Sequence, residues 1–271
     1  MREGTMVYGI ALGSGGARGA AHVALIDELK ERTIKIEVVT GSSVGALVGA
    51  LYALNPDVDL FQIFKDLTLK KKKMIDSQFR TLNNRITNFP KMVAGKSFLK
   101  SDFVYDIYKQ LYGRKRFSDC KIKLGIVSYD LESGEEVEIT EGYIIDAVMA
   151  SSSVPGVSPP LRLGGMSLLD GGVLTPVPVK LTKKLGADYV IASNLNGEVK
   201  NDFKFNDGLD YIISIEDFKN DLMVNYEINI AEEVYTFPIE YSWEGFSYFN
   251  EIYQDAKNFL KSIQNKAREQ L

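Results

Sequence analysis

The sequence predicts an α/β domain with a mostly parallel central sheet, and three observations support this fold class. Residues 6–12 form a short apolar run that is followed by a glycine-rich loop and then by a helical pattern over 20–31. A second apolar run at 34–39 leads through another glycine turn into an apolar stretch at 44–54. Strand patterns alternate with short helical patterns again beyond residue 121. Strands that alternate with helices are typical of parallel sheets.

The first two helices follow from the placement of their apolar residues. Leu25, Ile26 and Leu29 share one side of the helix over 20–31, which makes it amphipathic. The stretch 44–54 is apolar on nearly all sides, so that helix is expected to be buried. Asn55-Pro56 ends it, because proline and the residue before it disfavour a continuing helix.

The remaining elements follow the same pattern of strands and short helices. Strands are predicted at 122–128, 136–140, 165–169 and 187–193, and helices at 143–150 and 259–268. The chain shows neither an internal repeat nor a low-complexity linker. One domain over residues 1–271 is therefore the simplest organisation.

Residues 57–118 differ in character, because basic and aromatic residues are interspersed there. We expect them to form a helical insertion that caps the sheet. The run Lys70-Lys71-Lys72-Lys73 is predicted to be a solvated helix face, with contact to anionic lipid as the alternative. The aromatic residues of 79–112 and of 241–253 are candidates for a lid or an acyl-chain channel, or else for ordinary core packing.

The composition excludes several classes of protein. A net charge of −4 argues against a nucleic-acid-binding protein, since such proteins usually carry a basic excess. Cys120 is the only cysteine, which excludes an intramolecular disulfide and favours a reducing compartment. The first residues lack the pattern of a secretory signal, and no apolar run reaches the roughly 18–20 residues that span a bilayer. We therefore expect a cytoplasmic protein whose membrane contact, if any, is peripheral; its oligomeric state is left open.

The chain contains one histidine, His22. A Ser-His-Asp triad needs an imidazole as its base, so either His22 is that base or the chemistry proceeds without histidine. His22 shares the apolar side of its helix with Leu25 and Leu29, which favours a packed, hydrogen-bonded side chain. A histidine-rich metal site is excluded, and neither a metal nor an organic cofactor is expected.

The segment Gly41-Ser42-Ser43-Val44-Gly45 fits a nucleophile elbow. In such an elbow a serine stands on a sharp turn between a strand and a helix, and the glycines on either side leave room for it. The strand before this segment and the apolar helix after it are the context that the motif requires. Ser43 is thus a candidate nucleophile; the alternative is a serine that only caps the helix.

The loop Gly13–Gly19 has two interpretations. A dinucleotide-binding turn is one, but the glycine spacing does not match, and no acidic residue ends the next strand to hold a ribose. The better interpretation is an oxyanion hole, in which the backbone N–H groups of Gly15 and Gly16 face a developing negative charge. Arg18 either fixes this loop or adds positive charge, or it is a surface residue that pairs locally.

The segment Asp170-Gly171-Gly172 follows a predicted strand and is, taken alone, a common turn sequence. Its interest lies in its combination with a serine elbow and a histidine better explained by packing. A partly desolvated carboxylate beside Ser43 can accept the serine proton directly. Asp170 is therefore the candidate base, and the two glycines allow it a close approach.

These motifs together resemble those of the patatin-like phospholipase family. The resemblance rests on Ser14–Gly19, Gly41–Gly45 and Asp170–Gly172 in that order, with Ala150–Gly156 similar to a further family segment, and it covers residues 6–195. Ser14 departs from the family pattern, which has glycine there. The resemblance implies a three-layer α/β sandwich with helices on both faces of the sheet, and a Ser43–Asp170 dyad. The motif glycines that it marks are Gly19, Gly41, Gly45, Gly171 and Gly172.

The function that this resemblance implies is hydrolysis of acyl esters of glycerolipids by a serine lipid acyl-hydrolase through an acyl-enzyme. An acyltransferase or a general carboxylesterase would use the same dyad. A non-enzymatic module that binds lipid or a partner protein is the alternative outside enzymes, and it would be expected to have lost the dyad or the loop. Neither has been lost here.

Overall fold

The structure is a computed structural model that describes residues 5–82, 101–197 and 208–269. Eight strands of the described chain form one sheet: β1 (Tyr8–Leu12), β2 (Ile36–Gly41), β3 (Lys123–Asp130), β4 (Glu136–Ile139), β5 (Leu161–Leu163), β6 (Met166–Asp170), β7 (Tyr189–Asn194) and β8 (Glu233–Thr236). The α-helices are α1 (Ala20–Glu31), α2 (Val44–Leu54), α3 (Leu60–Leu82), α4 (Ser101–Tyr112), α5 (Ile144–Ser151), α6 (Val179–Lys184), α7 (Gly208–Ile228) and α8 (Phe249–Glu269).

The sheet is parallel in its larger part and antiparallel at one side. Its strand order is β5-β6-β3-β2-β1-β7-β8, and β4 also pairs with β3. The five strands from β3 to β8 in this order run parallel to one another. The pairings of β3 with β4, of β3 with β6 and of β5 with β6 are antiparallel. The predicted mostly parallel sheet is confirmed, and the antiparallel side is an addition to it.

Helices cover both faces of the sheet and make three layers. Ile10, Leu12 and Val39 point into the larger core, which they share with α1, α2, α5 and α8. Their neighbours Ala11 and Val38 point into a smaller core, which contains Val179 of α6 and Val224 of α7. Alternate residues of a strand point to opposite faces, so each of these strands is buried on both sides. The predicted three-layer α/β architecture is confirmed.

The described part of the interval 57–118 consists mainly of two helices. Helices α3 and α4 lie in it, and the part between 83 and 100 is outside the described residues. Lys70 and Lys73 on α3 are exposed, in agreement with a solvated face. Contact of this lysine run with anionic lipid stays a prediction, as does the division of the chain into a core and an insertion. In the three described stretches, no helix combines the length and the apolarity needed to cross a membrane.

Strand β3 brings two distant parts of the chain together at the edge of the sheet where the parallel strands end. The last residue of β2, Gly41, is paired with Ile126 of β3. The last residue of β6, Asp170, is paired with Ser128 of the same strand. The turn after β2 and the end of β6 are therefore neighbours, although 127 residues separate Ser43 from Asp170.

Candidate active site

Ser43 stands on the turn between β2 and α2 in a strained backbone conformation. Its φ of 55° and ψ of −119° lie outside the regions that ordinary residues favour. The two flanking glycines make this turn possible: a β-carbon on Gly45 would overlap the carbonyl of Leu12, and one on Gly41 would overlap the backbone of Gly45 and Ala46. Ser43 thus sits at the amino end of α2, where the helix dipole favours negative charge.

Asp170 is hydrogen-bonded directly to Ser43. The Ser43 hydroxyl donates to Oδ2 of Asp170 at 2.6 Å, and the Gly172 amide donates to Oδ1 at 2.8 Å. Burial raises the pKa of Asp170 to about 6, although both hydrogen bonds favour the carboxylate. Gly171 is packed against the Val127 carbonyl, where a β-carbon would not fit. The carboxylate is therefore held at the hydroxyl that it would have to deprotonate.

The end of α5 and the residues that follow it hold both residues in place. The backbone amide of Ser43 donates to Ser151 Oγ at 2.9 Å. The backbone amide of Asp170 donates to the Ser153 carbonyl at 2.9 Å. The sequence marked Ala150–Gly156 as a motif by resemblance alone and assigned no role to Ser151 or Ser153. The structure gives the segment a physical role, because its two hydrogen bonds fix the backbones of Ser43 and Asp170 relative to each other.

The glycine-rich loop contributes Gly15 and Gly16 to the wall of the same cavity. Gly15 and Gly16 have φ values of 155° and 58° and line the cavity together with Ser43. On either side the loop is anchored, because Ser14 donates to the Pro176 carbonyl at 2.8 Å and Ala17 to the Trp243 carbonyl at 2.7 Å. Among the hydrogen bonds between described residues, none uses the N–H of Gly15 or Gly16. These two donors are thus available to a ligand.

Arg18 is tied to the loop on which it lies. Its Nε donates to the Gly15 carbonyl and one of its terminal nitrogens donates to Asn196 Oδ1, both at 3.1 Å. These contacts support the first predicted role of Arg18, which is to fix the loop. A contribution of its charge to an oxyanion stays a prediction. Gly19 follows at the start of α1, where a β-carbon would overlap the side chain of Val44.

His22 is the packed, hydrogen-bonded histidine that the sequence predicts. Its Nε2 lies 2.8 Å from the Gly13 carbonyl and its Nδ1 lies 2.7 Å from Ser193 Oγ. A carbonyl only accepts, so Nε2 carries the proton and Nδ1 accepts from the serine hydroxyl. Burial lowers the pKa of His22 to about 4, in keeping with a neutral ring. Both nitrogens are engaged on the scaffold beneath the glycine-rich loop rather than at Ser43.

A cavity of about 890 Å³ lies over Ser43 and Asp170. Its wall is mostly apolar and comes from many separate parts of the chain. Side chains that line it include Phe64 and Leu67 of α3, Val104 and Tyr108 of α4, Met223 of α7, and Trp243, Phe246 and Phe249. Both regions that the sequence marked as lid or channel candidates thus contribute to this wall. A cavity of this size and character is typical of a site for an apolar ligand.

Tyr108 is a site residue that the sequence did not single out. Burial raises the pKa of Tyr108 to about 12, and the negative charge of Asp170 acts in the same direction. The neighbouring Tyr112 hydroxyl donates to the Leu47 carbonyl at 2.7 Å and so anchors α4 on α2. Tyr108 therefore places a neutral phenol in the wall of the cavity near Asp170. In the sequence, Tyr108 is one of several aromatic residues in the same interval, and nothing distinguishes it from those that only pack in the core.

No group of three or more His, Cys, Asp and Glu side chains is placed to hold a metal ion in the parts of the chain described here. The Asp170 carboxylate is the acidic group hydrogen-bonded to Ser43.

Comparison with known proteins gives a consistent family. The model of the patatin-like phospholipase family matches residues 10–183. An uncharacterized NTE family protein of Mycobacterium tuberculosis is 32% identical over 189 residues, which are 69% of this chain and 49% of that protein. Lysophospholipase NTE1 of Candida albicans is 31% identical over 184 residues, which are 68% of this chain and 13% of that protein. The solved structure of VipD from Legionella pneumophila is 13% identical with a TM-score of 0.45, and the match covers 93% of this chain and 67% of that one.

The fold and the site define an α/β protein with a serine elbow and a glycine-rich loop over a parallel sheet. Because the family model matches more than half of its length, the chain belongs to the patatin-like phospholipase family. The family resemblance inferred from the motifs is thereby confirmed. The chain spans about half the length of the mycobacterial relatives that it matches.

Proposed function

We propose that the chain hydrolyses acyl ester bonds of glycerophospholipids or related lipids through a Ser43–Asp170 dyad. The observation that carries this proposal is the 2.6 Å hydrogen bond from Ser43 to a buried carboxylate, beside two available amide donors and under an apolar cavity. The names of the family and of the Candida albicans relative, patatin-like phospholipase and lysophospholipase, support the same class of substrate.

In the first half of the proposed reaction, Asp170 takes the proton of the Ser43 hydroxyl as Oγ bonds to the ester carbonyl carbon. The carbonyl oxygen becomes an oxyanion, which the N–H groups of Gly15 and Gly16 stabilise. When the intermediate collapses, the bond to the leaving alcohol breaks and protonated Asp170 returns its proton to that alcohol. An acyl-Ser43 ester remains.

In the second half, water attacks the acyl-Ser43 carbonyl and Asp170 accepts the proton of that water. The bond between Oγ and the acyl carbon then breaks, the carboxylic acid product is released, and the proton passes from Asp170 to Ser43. The base needs no imidazole, because burial raises the pKa of Asp170 toward the pH at which the enzyme would work.

Replacement of Ser43 by alanine and of Asp170 by asparagine tests the dyad. We expect each variant to lower kcat for a short-chain p-nitrophenyl ester by about a thousandfold or more, because each removes a group that takes part in the chemical step. Circular dichroism and thermal unfolding check that the fold is retained. Either variant with kcat within tenfold of the parent protein, about 1.4 kcal/mol in barrier, would refute the dyad.

Ser42→Ala is the matched control for Ser43→Ala. Ser42 is buried in the same turn, and its hydroxyl has no hydrogen-bond partner among the described residues. A fluorophosphonate probe should label the parent protein and the Ser42 variant but not the Ser43 variant. If labelling disappeared only in the Ser42 variant, Ser42 and not Ser43 would be the nucleophile. If the parent protein were not labelled at all, a non-enzymatic binding module would be favoured.

A further inference from the structure

Helix α7 exposes a stripe of large apolar side chains to solvent. Ile215, Phe218, Leu222 and Tyr226 are 57%, 44%, 70% and 68% exposed. Their spacing of three, four and four residues places them on one face of the helix. Val224 on the opposite face is buried against the sheet. The helix is therefore apolar both toward the core and toward the outside, and we call its outer face the α7 stripe.

The α7 stripe borders the cavity over Ser43. Lys219, Asn220 and Met223, from the same turns of α7, line that cavity. Lys219 is also exposed, so the cavity meets the solvent beside the stripe. The stripe and this part of the cavity wall are therefore adjacent on the same helix.

We infer that the α7 stripe docks the protein on the surface of a lipid layer, with the mouth of the Ser43 cavity against that layer. The inference rests on the proposed function, since a lipid substrate has to leave its layer to reach Ser43. A helix that presents large aromatic and aliphatic side chains on one face can lie in a membrane interface with those side chains inserted. Besides Lys219, Lys180 flanks the stripe, with its ammonium 4.0 Å from the centre of the Tyr226 ring.

A lipid surface fits the stripe better than a second copy of the chain. Four side chains of about 200 Å² each, roughly half exposed, offer on the order of 400–500 Å², whereas a specific protein interface buries about 800 Å² on each partner. A lipid layer sets no such minimum, because each inserted side chain contributes separately. Lys180 is paired with Glu227 at 2.7 Å, so apolar insertion rather than net positive charge would drive docking. Zwitterionic lipid is therefore sufficient.

Sedimentation with phosphatidylcholine vesicles tests the docking surface in a Ser43→Ala background, where lipid is not consumed. Leu222→Glu should lower the vesicle partition coefficient by about tenfold or more, since it places a charge at the most exposed apolar position of the stripe. Leu222→Phe should keep the binding of the parent. Met6→Glu is the matched control, because Met6 is 53% exposed just before the amino end of β1, at the edge of the sheet opposite Ser43. It should bind as the parent does.

The same partition coefficient for Leu222→Glu and its parent would overturn the inference. So would a parent that is dimeric by light scattering and becomes monomeric on Leu222→Glu, which would assign the stripe to a second copy. With Ser43 intact, the ratio of vesicle-lipid to soluble-ester hydrolysis should also fall about tenfold in Leu222→Glu. Ester hydrolysis that survives Ser43→Ala would refute the proposed dyad but would not change the vesicle-binding result. Failure of the dyad and failure of the docking surface can therefore be distinguished.

Discussion

Asp170 has an environment that suits a carboxylate to work without histidine. It is buried at the end of β6, it accepts hydrogen bonds from Ser43 and Gly172, and burial raises its pKa to about 6. General bases act best when their pKa lies near the working pH. An exposed aspartate would hold its proton too weakly, whereas Asp170 both ionises near neutral pH and retains enough basicity to receive the serine proton.

The rate of the reaction should therefore depend on pH through Asp170. Its folded-state pKa is raised, so the carboxylate is protonated below about pH 6 and ionised above it. Because the ionised form is the base, kcat/KM for a soluble ester should rise about tenfold per pH unit below 6 and level off by about pH 7.

The control for this profile is His22, whose pKa burial lowers to about 4 and which would titrate below this range. A variant with His22 replaced by glutamine should keep the midpoint near 6. A midpoint that moves with His22, or a flat profile between pH 5 and 7, would exclude Asp170 as the group that titrates.

At the scale of the element, the end of α5 and the residues that follow it align nucleophile and base. Ser151 holds the Ser43 amide through its hydroxyl, whereas Ser153 holds the Asp170 amide through its backbone carbonyl. The side chain is therefore needed for this contact at position 151 but not at position 153. Only the first hydroxyl supports the strained turn at Ser43.

Ser151→Ala should consequently lower kcat by about tenfold and the free energy of unfolding by about 1–3 kcal/mol, because it leaves a buried amide without its acceptor. Ser153→Ala is the matched control: its hydroxyl donates to the Met149 carbonyl within the same turn, and its backbone carbonyl is unchanged. We expect kcat of the control within twofold or so of the parent. Equal losses in both variants, measured by ester hydrolysis and urea unfolding, would show that Ser151 has no special role.

The elements that the sequence predicted well are those whose pattern is local. Helices over 20–31 and 44–54 have the predicted bounds, because a glycine turn starts each and the apolar pattern runs to its end. Strand β5 was missed, since its three residues are too few to show a period. The signal for it was Gly164-Gly165, whose positive φ values of 58° and 87° make the tight turn to β6.

The helical pattern in the sequence did not predict α7 or the start of α8. No helix was predicted at 208–228, because apolar residues on both its core face and its outer stripe blur the 3.6-residue period. The C-terminal helix was expected from residue 259 and begins at Phe249. Its first turns carry Phe249 and Tyr253, which pack against Phe61 of α3. This tertiary contact of aromatic residues left no periodic signal in the sequence.

At the scale of the whole molecule, the site is assembled where the carboxyl ends of parallel strands meet. The order of the motifs predicted that Ser43 and Asp170 would be partners, and ligand sites of α/β sheets do lie at this edge. The wall of the cavity was less accessible to prediction. It combines α3, α4, α7 and the segment before α8, and their mutual placement depends on long-range contacts that no single stretch of sequence contains.

Trp243 offers a direct report on what this cavity holds. It is the only tryptophan, it lines the cavity, and its carbonyl accepts the Ala17 amide of the glycine-rich loop. A long acyl chain in the cavity would replace water around the indole by apolar groups. Titration of the Ser43→Ala variant with hexadecylphosphocholine, below the concentration at which it forms micelles, should therefore shift the tryptophan emission to shorter wavelength.

Phosphocholine alone is the control for this titration, and it should leave the spectrum unchanged, because a polar head group has no apolar surface to bring to the largely apolar wall. Calorimetry in parallel establishes whether the chain-bearing ligand binds. Binding heat without a change in emission would place the chain away from Trp243, against the cavity over Ser43 as the acyl site. A shift with both ligands would mean that Trp243 responds to the head group, and Trp243 would then not mark the position of the acyl chain.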